Sequence, residues 1–326
     1  MLGRVKMLRI GLYLPVFGGW FRIDEEEKTP SYGYMKEIAE EAERIGIDSL
    51  WIPDHLLNPM KGDRAPTLEA WTLAAAIAEA TENVIISHAV LCEAFRFPAV
   101  LAKQAATLNE ISEGRFWLSL GAGFYQREYE AYGLPFLFHD ERVLRTKEAI
   151  SIIKKLWTEE NVTFRGHYHS ILNSTLSPKP NPMPRICYGG NSEPSLELIS
   201  EDVDCWLMHR CKIEEAETNV IEMEKRVKTK KREERLEIAI PVFSFIRNTD
   251  EEAIDYVNRL TSGSERERRL ILNSSFVGSP QKIAQSARRL ESIGINHVLF
   301  QMSPTLTELS KLSTVLSVLR EEDMIS

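Results

Sequence analysis

Short apolar runs alternate with longer amphipathic segments along most of the chain. Short runs rich in β-branched residues are typical of buried parallel strands, and apolar positions spaced three and four apart are typical of helices covering a sheet. The pattern predicts strands at Leu8–Leu14, Asp48–Ile52, Val84–Cys92, Phe116–Leu120, Ile186–Tyr188, Asp204–Met208, Leu236–Ile246 and His297–Gln301. It predicts helices at Tyr32–Ile45, Thr67–Ala80, Pro98–Ile111, Tyr125–Tyr132, Glu141–Trp157, Pro194–Glu201, Ile213–Lys231, Glu251–Leu260, Pro280–Ile293 and Leu306–Leu319.

Eight strands separated by helices within 326 residues favour an α/β fold of the TIM (β/α)8 barrel type. The alternative is an open doubly wound sheet, but no GxGxxG or GxxxxGK[ST] loop follows a predicted strand. The alternation breaks at residues 161–184, where the chain predicts a hairpin and a proline-rich loop. We therefore expect one barrel domain over residues 1–326, with an insertion between strands 4 and 5.

Composition and charge exclude several classes of protein. With 43% hydrophobic residues and a net charge of −8, the chain is neither disordered nor a good candidate for binding nucleic acid over a broad surface. No apolar run approaches the roughly 18 residues of a membrane span, and the N-terminal residues do not resemble a secretory signal. Four cysteines without a C-x-x-C pair indicate a reduced, cytoplasmic protein with no metal site.

The strongest candidate binding site follows the fifth predicted strand. In a barrel the active site lies at the carboxyl ends of the strands. There Gly189 and Gly190 would let the backbone approach an anion, and Asn191, Ser192 and Ser195 would add donors before a new helix. The pattern therefore predicts a phosphate site, although a capped helix after a tight turn would have the same sequence.

The candidate catalytic residues follow the second and sixth predicted strands. His55 can exchange protons near neutral pH, and the adjacent Asp54 could orient it. A surface Asp-His pair is the equally ordinary alternative. His209 and Arg210 follow the sixth strand, and Arg210 is a candidate for neutralising an anionic substrate or a developing charge.

Motifs over nearly the whole chain resemble the bacterial luciferase-like family of flavin- and deazaflavin-dependent oxidoreductases. They lie at Trp51–His55, Phe97–Leu108, Gly114–Phe124, Arg142, Thr146, Trp157-Thr158, Phe164, Gly166, Tyr188–Gly190 and Gly278–Pro280. Within the family, Pro15–Trp20, Ser177–Pro180 and Met208-His209 are most similar to the FMNH2-dependent monooxygenases of dimethyl sulfone and alkanesulfonates.

The resemblance implies a TIM barrel in which the loop Gly190–Ser195 holds the flavin phosphate. It also implies a non-prolyl cis peptide at Ala89–Val90 that places the backbone under the flavin ring. The cofactor would further contact Gly121, Gly123, Phe124 and Tyr125. A partner flavin reductase and a homodimer or homotetramer are implied as well.

The leading hypothesis is a two-component monooxygenase that uses reduced FMN and O2 on a small organic substrate, with organosulfur compounds as candidates. His55 would act as acid or base and Asp54 would orient it. However, the Asp54-His55 pair and the Gly121–Gly123 run are similar to family members that use the deazaflavin coenzyme F420. The alternatives are therefore an F420-dependent dehydrogenase or reductase that transfers hydride, and a flavin-binding protein without catalysis.

Overall fold

A mostly parallel sheet, nearly closed into a barrel, confirms the predicted TIM-barrel architecture. The computed structural model describes residues 8–20, 28–230, 235–261, 264–303 and 305–325. The strands are β1 (Arg9–Tyr13), β2 (Ser49–Ile52), β3 (Ile85–His88), β4 (Leu91–Cys92), β5 (Trp117–Gly121), β6 (Val162–Arg165), β7 (Ser170–Ser174), β8 (Arg185–Gly189), β9 (Cys205–Leu207), β10 (Glu237–Ile246), β11 (Ser275–Gly278) and β12 (His297–Gln301). Nine of these strands follow one another in the order β3-β2-β1-β12-β10-β9-β8-β5-β4, and an isolated parallel bridge joins Ile86 in β3 to Phe116, which directly precedes β5.

The helices surround the sheet close to where the periodicity predicts them. They are α1 (Tyr32–Ile45), α2 (Ala70–Ala80), α3 (Pro98–Ile111), α4 (Gln126–Ala131), α5 (His139–Thr158), α6 (Glu193–Asp202), α7 (Ile213–Thr229), α8 (Asp250–Leu260), α9 (Glu265–Ser274), α10 (Pro280–Ser292) and α11 (Leu306–Ile325). The predicted start of α2 at Thr67 is wrong, because Glu69 caps the helix by accepting from the N–H groups of Trp71 and Thr72. Lys231, the predicted end of α7, lies outside the described residues.

The third predicted strand is interrupted where the resemblance places a special peptide. The structure divides Val84–Cys92 into β3 and β4, and the peptide bond between Ala89 and Val90 is cis. β3 pairs with β2, whereas β4 pairs with β5. The interruption therefore lies where the two ends of the strand order meet and the barrel closes. The expected non-prolyl cis peptide is therefore confirmed.

The predicted insertion is an antiparallel hairpin of β6 and β7 between β5 and β8. The Glu148 carboxylate on α5 accepts hydrogen bonds from the backbone N–H groups of His167, Tyr168 and His169 in the hairpin turn. The buried His169 ring also lies 2.8 Å from Glu93 Oε1, in the turn after β4. The hairpin is therefore attached to the barrel close to the strand ends.

The region after β10 contains two elements that the sequence pattern does not predict. β10 extends beyond the barrel and pairs there with β11, and α9 precedes β11. Together with α8 they enclose a small second core of Phe245, Ala253, Val257, Ile271 and Val277. The sequence of α9, ERERRLILNS, has few apolar positions, so its periodicity does not identify a helix.

Within the described part of the chain, no helix is both long and apolar enough to cross a membrane.

Candidate active site

Cavities lined by described residues open at the carboxyl ends of the barrel strands, and two of them concern the candidate site. The first, of about 280 Å³, is named the glycine cavity; Gly121, Gly123, Gly189 and Gly190 line it together with His55. The second, of about 630 Å³, is named the arginine cavity; its lining includes Trp20, Met60, Arg210, Phe243 and Ile271. The glycine cavity faces β2 to β8, and the arginine cavity faces β1, β9 and β10, so they occupy different halves of the barrel mouth.

The glycine cavity collects most of the predicted cofactor-binding residues. The structure brings Ala89, Val90, Gly121, Gly123, Phe124, Gly189, Gly190, Asn191 and Ser195 into its lining. A Cβ atom at Gly189 would lie 2.9 Å from Val90 Cγ1, and one at Gly121 would collide with the same side chain. Only glycine therefore leaves room for the backbone and Val90 to approach each other at the cavity floor.

The loop between β8 and α6 presents a group of anion-compatible donors. The Ser192 hydroxyl lies 2.7 Å from His139 Nε2 and 2.9 Å from the Ser195 hydroxyl. Although Ser192 is the N-cap of α6, its side chain does not cap the first turn, and Pro194 has no N–H group. Free N–H groups of a helix start, two hydroxyls and an imidazole suit a phosphate. These residues therefore fit the predicted phosphate site.

His55 is held by Glu128, a residue that sequence reasoning does not identify. His55 Nδ1 lies 3.0 Å from Glu128 Oε2, and Glu128 Oε1 accepts from the backbone N–H groups of Leu56 and Leu57. Glu128 is buried, and among the described residues the other ring nitrogen of His55, Nε2, makes no hydrogen bond. A carboxylate at Nδ1 places the ring proton there, so Nε2 is the nitrogen available for proton transfer.

The prediction that Asp54 orients His55 is wrong. The Asp54 carboxylate instead binds the Arg96 guanidinium through two contacts of 2.7 and 3.0 Å, and it accepts from the Cys92 N–H at 2.8 Å. Adjacent side chains in extended backbone point to opposite sides, so Asp54 and His55 face different partners. Asp54 thus ties the end of β2 to the segment after the cis peptide.

Aromatic rings surround His55 edge-on. The ring centroids of Phe17, Phe124 and Tyr125 lie 5.5, 5.6 and 6.3 Å from that of His55. Phe124 lines the glycine cavity, whereas Tyr125 contacts His55 without lining it. The predicted role of Tyr125 at the cofactor therefore remains a prediction.

The Cys92 thiol and the Tyr188 phenol, which both line the glycine cavity, stay protonated at neutral pH. Burial raises the pKa of the Cys92 thiol to about 12, and its sulfur lies 3.0 Å from the Tyr129 hydroxyl. Burial likewise raises the pKa of Tyr188 to about 12. Since a thiolate is the nucleophilic form of cysteine, Cys92 forms part of the cavity wall and is not a nucleophile.

His209 and Arg210 do not join His55. His209 lines a third cavity, of about 210 Å³, where its Nε2 atom lies 3.2 Å from Glu215 Oε1. Arg210 lines the arginine cavity instead. Among the described residues, the possible ligand atoms of His209, Cys211 and Glu215 lie within 4.8 Å of one another, a grouping that the sequence spacing did not suggest.

Glu128 and His139 are the site residues that the sequence analysis misses. Each contacts its partner across a long stretch of chain, 73 residues for His55 and Glu128 and 53 residues for His139 and Ser192. His139 stands at the first position of α5, where a polar residue is ordinarily explained by the helix start. The one feature of the sequence that could have drawn attention to His139 is the small number of histidines, since the chain contains only 7.

Comparison with known proteins gives a family match over most of the chain. The family model described as "Luciferase-like monooxygenase" matches residues 10–275. The FMNH2-dependent dimethylsulfone monooxygenase of Pseudomonas putida is 28% identical over 76% of this chain and 68% of its own length. The F420-dependent glucose-6-phosphate dehydrogenase of Amycolatopsis mediterranei is 38% identical, but over 48% of this chain and 47% of its own length.

A solved structure supports the fold. The long-chain alkane monooxygenase superimposes with a TM-score of 0.83, covering 98% of this chain and 92% of that one, at 17% sequence identity.

Proposed function

Because the chain belongs to the luciferase-like monooxygenase family, we propose that it is the oxygenase component of a two-component monooxygenase. Reduced FMN would supply two electrons to O2, so that one oxygen atom enters a small organic substrate and the other leaves as water. The relatives that this chain matches over most of its length include FMNH2-dependent enzymes, which supports FMN as the cofactor.

The single observation that carries the proposal is the phosphate-compatible loop beside the glycine cavity. Ser192, Ser195 and His139 would hold the FMN phosphate, with the first turn of α6 behind them. Gly121, Gly189 and the Ala89–Val90 segment would form the floor beneath the ring system. Both parts lie in one continuous lining, as a cofactor with an anionic tail requires.

His55 would move the proton that the reaction needs. Glu128 holds Nδ1, and Nε2 remains available for a substrate or solvent proton. The rings of Phe17 and Phe124 beside His55 would limit the access of water to the reacting atoms. We expect His55→Asn to lower turnover at least about tenfold while leaving FMN affinity unchanged.

An oxygen-dependence experiment tests the function. The full chain is loaded anaerobically with reduced FMN, with reduced F420 or with oxidised F420, mixed with a panel containing dimethyl sulfone, short alkanesulfonates and short alcohols, and then exposed to 18O2. We expect 18O in a product only with FMN. Substrate turnover with F420 in the absence of oxygen would contradict the proposal.

The second candidate is an F420-dependent dehydrogenase, and one contact favours it. A histidine with its Nδ1 on a carboxylate and a free Nε2 can also accept the proton of an alcohol while hydride leaves the carbon. The relatives that match about half of the chain are F420-dependent enzymes. The two functions differ in their need for oxygen, so the same experiment separates them.

We also propose that the protein works in the cytoplasm as a homodimer or homotetramer beside a separate flavin reductase. None of the four cysteines forms a disulfide, which supports a reducing compartment. Light scattering on the purified chain would measure the oligomeric state, and a monomer at micromolar concentration would contradict that part of the proposal.

A further inference from the structure

The arginine cavity contains a cation that has no acidic partner among the described residues. The Arg210 guanidinium donates to Gln301 Oε1 at 2.9 Å, and its Cζ atom lies 3.6 Å from the centre of the Phe243 ring. Stacking and one hydrogen bond fix its plane but use few of its five N–H donors. The remaining N–H donors of this partly buried guanidinium are therefore available to bind an anion.

A second unused donor lies in the same wall. The Nε1 atom of Trp20 is buried and makes no hydrogen bond with any described residue. Trp20 itself is 4% exposed and packs edge-on against Phe17. Because a buried N–H group without an acceptor destabilises the fold, its presence in the same cavity lining as Arg210 fits a ligand rich in acceptor atoms.

The rest of the cavity is divided between apolar walls and an exposed rim. Met60, Phe243 and Ile271 supply apolar surface, and part of this surface belongs to the small second core built by α8, α9 and β11. The acidic residues of the lining, Glu215 and Glu267, are exposed to solvent. The positive charge therefore lies inside and the negative charges lie at the water boundary.

We propose that the arginine cavity binds the substrate as an organic anion, a small carboxylate or sulfonate with an apolar body. The acidic head would contact the Arg210 guanidinium and the Trp20 N–H group, and the body would lie against the apolar walls. This proposal depends on the proposed function only because it calls the bound anion the substrate. The Phe17 ring lies between Trp20 and His55, at 5.6 and 5.5 Å, and so connects the cavity to the proton-transfer residue.

Calorimetric titration of the full chain with three six-carbon probes tests the proposal. Hexanoate and hexane-1-sulfonate carry the two candidate heads, and hexan-1-ol is the neutral probe of matched length. We expect at least one anion to bind ten or more times more tightly than the alcohol. Arg210→Gln should abolish that preference, and Arg210→Lys should retain part of it. Lys155→Gln is the matched control, because Lys155 is a partly exposed cation on α5 outside this lining and its replacement should change affinity less than threefold.

Equal affinity for the anions and the alcohol would overturn the proposal, as would anion binding that survives Arg210→Gln. If that variant does not fold, Trp20→Phe keeps an aromatic ring but removes the N–H group together with part of the indole. It should weaken the anion at least threefold and leave the alcohol unchanged, and an unchanged anion affinity would contradict the proposal. The titration needs neither flavin nor oxygen, so its failure is distinguishable from failure of the monooxygenase function.

Discussion

His55 Nδ1 lies 3.0 Å from Glu128 Oε2, so a carboxylate on α4 determines which nitrogen of the candidate catalytic ring carries a proton. The same carboxylate binds the backbone N–H groups of Leu56 and Leu57, which fixes the loop after β2 as well as the ring. The candidate proton-transfer atom is therefore positioned by α4, which follows β5, although His55 itself follows β2.

Replacement of this carboxylate should change the tautomer of His55. In Glu128→Gln the amide oxygen can still accept from the loop, but the amide nitrogen is a donor and favours a His55 ring protonated at Nε2. We expect turnover to fall at least about tenfold, with flavin affinity changed less than twofold. Long-range 15N–1H NMR of the histidine ring reports the tautomer directly and needs no substrate.

Glu130→Gln provides the matched control for that variant. Glu130 lies on the same helix, is exposed, and binds only the Gln126 side chain among the described contacts. Its replacement should leave both the His55 tautomer and turnover unchanged. An Nδ1-protonated ring in Glu128→Gln would show that Glu128 does not set the tautomer.

The serine hydroxyls after β8 should recognise the phosphate specifically. Ser195→Ala removes one donor of the proposed site, and hydrogen bonds to charged groups contribute about 1.5–3 kcal/mol, so FMN affinity should fall about tenfold or more. Riboflavin lacks the phosphate and should bind both proteins equally. Flavin fluorescence titration measures both affinities.

Ser200→Ala is the control for Ser195→Ala, because Ser200 is buried on the same helix and its hydroxyl donates to the Glu197 carbonyl. It should leave both flavin affinities unchanged. A Ser195→Ala variant that weakens riboflavin as much as FMN would locate the effect in the ring site and would contradict a phosphate contact.

Gly190 should tolerate no side chain. A Cβ atom there would lie 2.7 Å from Ser195 Oγ and 2.9 Å from Tyr188 Cε1, so Gly190→Ala must displace the loop after β8. We expect FMN affinity to fall more than tenfold. Gly33→Ala meets no atom within 4 Å and lies on α1, where alanine should stabilise the helix by about 0.5–1 kcal/mol. If Gly190→Ala bound FMN as tightly as the wild type, the loop after β8 would not need a residue without a side chain at this position.

Local periodicity was sufficient to predict the barrel. Each strand and most helices show a pattern of apolar positions that is complete within a few residues. Parallel strands are buried on both faces, so each one appears in the sequence as a continuous apolar run. α9 and β11 escape this reasoning because their small core of Phe245, Val257 and Ile271 is assembled from three separate segments. The extension of β10 beyond the barrel becomes visible only when its partner β11 is in place.

The site was predictable only where its chemistry is contiguous in the chain. Gly189, Gly190 and Ser195 stand together in the sequence, and the structure keeps them together. The partner of His55 was assigned to its neighbour Asp54, although the backbone directs these two side chains apart. Which distant carboxylate meets a histidine depends on the packing of α4 on the barrel, and a single sequence contains no distance of that kind.

The ion pair between Asp54 and Arg96 should support stability and not proton transfer. Both side chains are largely buried, and removal of one partner from a buried pair costs about 3–5 kcal/mol when the other charge is left uncompensated. Arg96 keeps a second contact of 2.6 Å with Glu69 Oε1, so the loss should lie at the lower end of that range. Asp54→Ala should therefore lower the free energy of urea unfolding by about 3 kcal/mol. Asp63→Ala breaks the exposed pair with Arg127 and should cost less than about 1 kcal/mol. Equal losses in the two variants would contradict a structural role for Asp54.

His88 should make the fold sensitive to acid. Its ring is fully buried and stacks on Trp71 with an interplanar angle of 7°, and burial lowers its pKa from 6.5 to about 3. Between these two values the unfolded chain binds a proton that the folded chain excludes, so stability falls as the pH decreases from 6.5 to 3. The contribution of this one group is up to about 1.4 kcal/mol per pH unit.

Urea unfolding of His88→Phe across that pH range isolates the effect, because phenylalanine keeps a planar ring against Trp71 and has no proton to bind. The variant should lose stability less steeply than the wild type as the solution is acidified, whatever its stability at pH 7. His167→Gln is the control, since the exposed His167 ring is hydrated in both the folded and the unfolded chain. Parallel pH curves for His88→Phe and the wild type would mean that the buried ring of His88 is already protonated in the folded protein, at the expense of its burial.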